Sequence, residues 1–77
     1  MSILEETKSI IASILNYPIE KLDEEAEMTD IERWDSLRHM MILSQLKEHF
    51  DIMFPPEDLF ELTSVKAFAE EIEKIKG

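Results

Sequence analysis

Cysteine is absent from the 77 residues, and only two histidines occur. No disulfide framework and no Cys/His zinc cage can hold the fold. Glycine occurs once, as the final residue, so a glycine-rich phosphate loop is excluded. The acidic stretch before mid-chain also lacks the central glycine that an EF-hand turn requires. His39 and His49 form neither a Glu-x-x-His nor a His-x-x-x-His pair. The longest unbroken apolar run is Met40–Leu43, far short of the roughly 20 residues that cross a bilayer as a helix. No basic stretch followed by an apolar one opens the chain. Cations are scarce as well: 8 Lys and Arg against 18 Asp and Glu give a net charge of −10. A field of that sign repels nucleic acid and anionic lipid and draws in basic protein surfaces. What survives is one small domain over residues 1–77, held by packing alone. At this size that favours helices with short connections. A soluble, cytoplasmic protein without membrane insertion is expected.

Helical periodicity is what the chain does have. Ile3, Leu4, Thr7, Ile10, Ile11, Ile14 and Leu15 repeat at i, i+3, i+7 spacing and predict an amphipathic first helix. Ser2, with Glu5 three residues on, reads as a capping box. Asn16-Tyr17-Pro18 ends the helix, because proline disfavours helix in the residue before it. Residues 16–35 have no clean period and are rich in carboxylates. Ile19, Leu22, Ala26, Met28, Ile31 and Trp34 punctuate them as apolar anchors, so a long ordered loop lying across the bundle is predicted.

Asp35 or Ser36 then caps a second helix that runs to about Phe50. At about 100° per residue, His39, Ile42, Leu43, Leu46 and Phe50 make a core stripe. Leu37, Met41 and Ser44 lie nearly opposite, with Met40 between. This second apolar face is either covered by the preceding loop or left open for docking. Pro56 can start a short helix, with Leu59, Phe60 and Leu62 facing inward. Thr63 or Ser64 caps the last helix, whose apolar set is Val65, Phe68, Ala69, Ile72 and Ile75. The fold class is all-α: a small antiparallel bundle of three main helices plus one short helix, with a long loop between helices one and two.

Asp35-Ser36-Leu37-Arg38-His39 is the segment that could carry chemistry. A hydrolase with Ser36 as nucleophile and His39 as base fits poorly, because His39 faces the core and the chain has no room for a pocket with an oxyanion hole. On local chemistry Asp35 and Ser36 are helix caps, worth about 1 kcal/mol. Trp34 precedes the cap, where it can staple onto His39. Arg33 and Arg38 flank the site.

Trp34-Asp35-Ser36-Leu37, after an acidic loop and before an amphipathic helix, resembles the phosphopantetheine attachment motif of acyl carrier proteins. The resemblance covers nearly the whole chain. It includes the opening helix, Phe50-Asp51-Ile52-x-Phe54, and Leu62-Thr63-Ser64-Val65 leading into the last helix. It implies that Ser36 bears a covalent 4'-phosphopantetheine, with Asp35 and Leu37 as motif neighbours. A phosphopantetheinyl transferase would install it from coenzyme A. Acyl or aminoacyl groups would then travel as thioesters between ligases, transferases or synthases, while the protein itself catalyses nothing. A monomer is expected from the resemblance and from self-repulsion.

One departure stands out. Members serving fatty acid synthesis carry acids along the second helix, whereas this helix offers Arg38, Met40, Met41 and Gln45, with Glu48 the one acid. Those five are the expected partner-binding residues, and they suggest a dedicated partner set with apolar docking. Ile42, Leu46, Met53, Phe60 and Ile72 either line a cavity for cargo or are plain core. The alternative reading is an acidic helical adaptor that binds a basic partner without a cofactor.

Overall fold

The structure, a computed structural model, describes residues 2–77, the side chain of Phe60 apart. Helix α1 spans Ile3–Leu15, α2 Ser36–Phe50 and α3 Val65–Lys76, with 3-10 turns at Ile19–Lys21, Met28–Asp30 and Pro56–Glu61. The short fourth helix is therefore a tight 3-10 element. Pro56 occupies its first position, where a missing N–H costs nothing.

Each helix starts and stops for a local reason. Ser2 Oγ accepts the Glu5 N–H at 3.1 Å. Asn16 ends α1 in the left-handed region at φ 52°, and Asp51 ends α2 the same way at φ 54°. Asn and Asp reach that region at less cost than other side chains with a Cβ. Ser64 rather than Thr63 caps α3, its Oγ accepting the Ala67 N–H at 3.1 Å.

Side-chain contacts fix the helix directions. Glu6, early in α1, meets His49, late in α2, at 3.0 Å. Arg33, just before α2, donates to the Asn16 carbonyl just after α1 at 3.4 Å. These two helices are antiparallel. Lys76 Nζ donates to the Phe50 carbonyl at 3.1 Å, joining the ends of α3 and α2. Nearer their starts, the rings of His39 and Phe68 lie 5.6 Å apart. So α2 and α3 share a direction, and α1 packs along both.

Ile11, Leu15, Ile42, Leu46, Val65, Phe68 and Ile72 are fully buried between the three helices. Each contributes about 1.5–3 kcal/mol of apolar burial. The long loop is pinned to this core by Leu22, Ile31 and Trp34, with Ala26 and Met28 half-buried. Ile19 is not an anchor: it is 42% exposed. It opens a three-residue turn from which only the following Leu22 reaches the core. Leu59 is likewise exposed rather than inward, while Leu62 is buried. The inward placement expected of Phe60 lies outside the described residues.

Backbone bonds also tie the loop to α3. Met28 N–H donates to the Thr63 carbonyl at 2.8 Å, Val65 N–H to Ala26 at 3.2 Å and Lys66 N–H to Glu24 at 2.8 Å. The first amides of a helix have no partner within it. Here the acidic loop supplies their acceptors.

Candidate functional site

The site is the start of α2. Asp35 is the N-cap, in extended conformation, and its Oδ1 accepts the Arg38 N–H at 2.9 Å. Its Oδ2 accepts from Arg38 Nη1 at 3.1 Å. That ion pair is exposed and worth under about 1 kcal/mol, but it turns Arg38 back on its own helix rather than outward beside the serine. His39 N–H donates to the Asp35 carbonyl at 2.8 Å. The Asp35 N–H itself donates to the Arg33 carbonyl at 3.0 Å. Of the four amides that open the helix, those of Ser36 and Leu37 therefore have no partner among the described residues.

Ser36 is the first residue of the helix and is exposed. Because Asp35 does the capping, the Ser36 hydroxyl is not consumed by it. An anion attached at that hydroxyl would sit beside free amides at the positive end of a 15-residue helix, where negative charge is favoured. The donor set therefore fits a phosphodiester.

Trp34 stands just before the cap and is 2% exposed. Its indole N–H donates to His39 Nδ1 at 3.0 Å, and its ring stacks on Phe68 at a centroid distance of 6.5 Å. The expected staple forms, but as a hydrogen bond within an aromatic cluster. Burial lowers the His39 pKa below 6.5, which keeps the ring neutral and Nδ1 able to accept. That nitrogen is turned to Trp34, not to Ser36.

The second face of α2 is open. Leu37, Met40 and Met41 are 70%, 63% and 49% exposed, so the loop does not cover them. Gln45 and Glu48 are exposed on the following turns. Of the residues considered for a cargo cavity, Ile42, Leu46 and Ile72 are buried core, and Met53 is 69% exposed. Met53 lies outside because the segment after Asp51 runs over the bundle surface. Phe60 lies outside the described residues.

Sequence reasoning missed a groove of about 270 Å³ in which Lys47, Met53 and Leu59 join Met40. Met40, Leu43 and Lys47 are spaced i, i+3, i+7, a stripe that could have shown its helical wall. Met53 and Leu59 come from other elements and carried no such signal.

A family profile described as phosphopantetheine attachment site matches residues 5–72. An acyl carrier protein of Akkermansia muciniphila is 33% identical over 76 residues, covering 99% of this chain and 95% of that protein. The chain belongs to the acyl carrier protein family. A solution NMR structure of holo acyl carrier protein from Geobacter metallireducens superposes with a TM-score of 0.84 at 29% identity. It covers 99% of this carrier and 87% of that chain. Members are carriers rather than catalysts, and phosphopantetheine is the family's covalent group. Among the described residues, no helix of this carrier is long and apolar enough to cross a membrane.

Proposed function

We propose that Ser36 is the attachment point of the prosthetic group, with Asp35 and Leu37 as its motif neighbours. We further propose that the loaded protein serves a dedicated set of cytoplasmic acyl- or aminoacyl-handling enzymes. The observation that carries the first part is the division of labour at the helix start: Asp35 caps, and Ser36 is exposed with its hydroxyl spare. The other serines suit the role less. Ser2 and Ser64 are themselves caps, and Ser9, Ser13 and Ser44 lie within helices, away from any free amides.

When bound, the group supplies a terminal thiol that carries acyl groups as thioesters. The chain's own residues present and position it. Asp35 fixes the helix start, Trp34 and His39 lock the preceding loop, and the free amides of Ser36 and Leu37 favour the anion. The dedicated role is supported by α2, where Arg38, Met40, Met41 and Gln45 leave Glu48 as the one acid. An enzyme that reads an acidic helix would find little there.

Intact mass after incubation with coenzyme A and a broad-specificity phosphopantetheinyl transferase tests the site. Wild type should gain one phosphopantetheine and Ser36→Ala none. No gain on either protein would favour the acidic adaptor instead.

A further inference from the structure

Met40, Leu43 and Lys47 rise from α2, Met53 and Phe54 from the following segment, and Leu59 from the last 3-10 turn. Together they line an open groove of about 270 Å³. Met40 and Met53 are 63% and 69% exposed, so its rim is apolar and faces solvent. Lys47 is the charged member of the lining, and among the described residues it makes no ion pair. Over its length α2 holds Arg38 and Lys47 against the single acid Glu48, in a chain of net charge −10.

We infer that this groove receives an apolar side chain of a partner enzyme, bordered by a carboxylate that meets Lys47. The inference rests on the carrier reading and names the kind of partner that would read α2. Methionine side chains adapt their shape and suit surfaces that must repack against a protein. With Met40 and Met53 exposed at its rim, the groove faces solvent rather than closing around a small ligand. A second copy of the chain would bring another ten negative charges against the first. Glu48 and the C-cap Asp51 line the adjoining depression, which shares Lys47 and Met53 with this groove. Within the groove's own lining the one charged side chain is Lys47, which calls for a carboxylate.

Two amphipathic helical peptides with the same leucine face, one flanked by glutamates and one by lysines, test this. Each is titrated at about 0.15 M salt into the full chain carrying labelled methionine methyls, both before and after loading with phosphopantetheine. The glutamate peptide should shift the Met40 and Met53 methyls, and the lysine peptide should leave them in place. Lys47→Glu should weaken the glutamate peptide about fivefold, and Met53→Ser about tenfold. Both side chains are exposed, and an unchanged helical circular dichroism spectrum confirms that the fold is kept.

The inference is overturned if the groove methyls answer to the lysine peptide or to neither peptide. It is equally overturned if they shift with protein concentration alone, or when an acyl group is loaded without peptide. The mass gain at Ser36 is read separately. Its failure removes the carrier reading, while the peptide titration still judges the groove.

Discussion

The indole N–H of Trp34 donates to Nδ1 of His39 at 3.0 Å, joining the last loop residue before the cap to the first full turn of α2. The bond needs Nδ1 unprotonated, and burial favours that state by lowering the His39 pKa below 6.5. An unfolded chain takes up the proton first as pH falls. The contribution of His39 to stability is therefore complete above 6.5 and is lost as pH drops through the lower, folded value.

That pH dependence must be separated from the acidic surface, whose self-repulsion is relieved by the same acidification. His39→Gln keeps an acceptor and cannot titrate. We expect wild-type stability, relative to this variant, to fall as the pH drops below 6.5. Denaturant midpoints followed by fluorescence of the single tryptophan would show it. A difference that stays flat with pH would sink the idea. Trp34→Phe should cost about 1 kcal/mol through the lost hydrogen bond.

At the neighbouring pair, capping and attachment separate by one residue. Asp35→Ala should destabilise the fold by about 1 kcal/mol through the Arg38 amide it leaves unpaired. Ser36→Ala should fold like wild type and yet gain no mass from coenzyme A. Equal loss of stability in the two variants would assign the serine to the cap.

Thr7 is fully buried on α1, and its hydroxyl makes no hydrogen bond among the described residues. An unmet polar atom in the interior costs about 1–3 kcal/mol. Thr7→Val removes it at nearly constant shape and should raise the thermal midpoint. A lowered midpoint would mean the hydroxyl has a partner in solution.

Phe68 is fully buried at the centre of the aromatic cluster, 6.5 Å from Trp34 and 6.1 Å from Phe54 between ring centroids. Phe68→Ala should cost about 3–5 kcal/mol, a large share of the roughly 5–15 kcal/mol that holds a domain of ordinary stability. It should also loosen the Trp34–His39 bond, read as a red shift of tryptophan emission in the folded state. Retention of native emission at native stability would contradict the packing described.

The parts legible in the sequence share one property: their cause lies within a few residues. The apolar spacing of α1 and α3, the Ser2 cap, the stop before Pro18 and the start at Pro56 all act locally, and so does the polar segment at Asp35-Ser36. What was misread depended on contacts between distant segments. Ile19, Leu59 and Met53 are apolar and looked like interior residues, yet each sits where the surface runs past it. Whether Leu37, Met40 and Met41 were covered turned on the path of a loop with no period to read.

The sequence alone determined that three amphipathic helices form, that no disulfide or Cys/His cage supports them, and that Asp35 or Ser36 caps the second at mid-chain. Helix phase and capping need only neighbouring residues, so these were fixed before any tertiary contact. Only the folded chain decided that loop carbonyls at Glu24 and Ala26 close the start of α3, and that α2 and α3 run in the same direction. It also decided that a groove joins Met40 to Met53 and Leu59. Those features join residues far apart in the chain, and packing of the whole core is what brings them together.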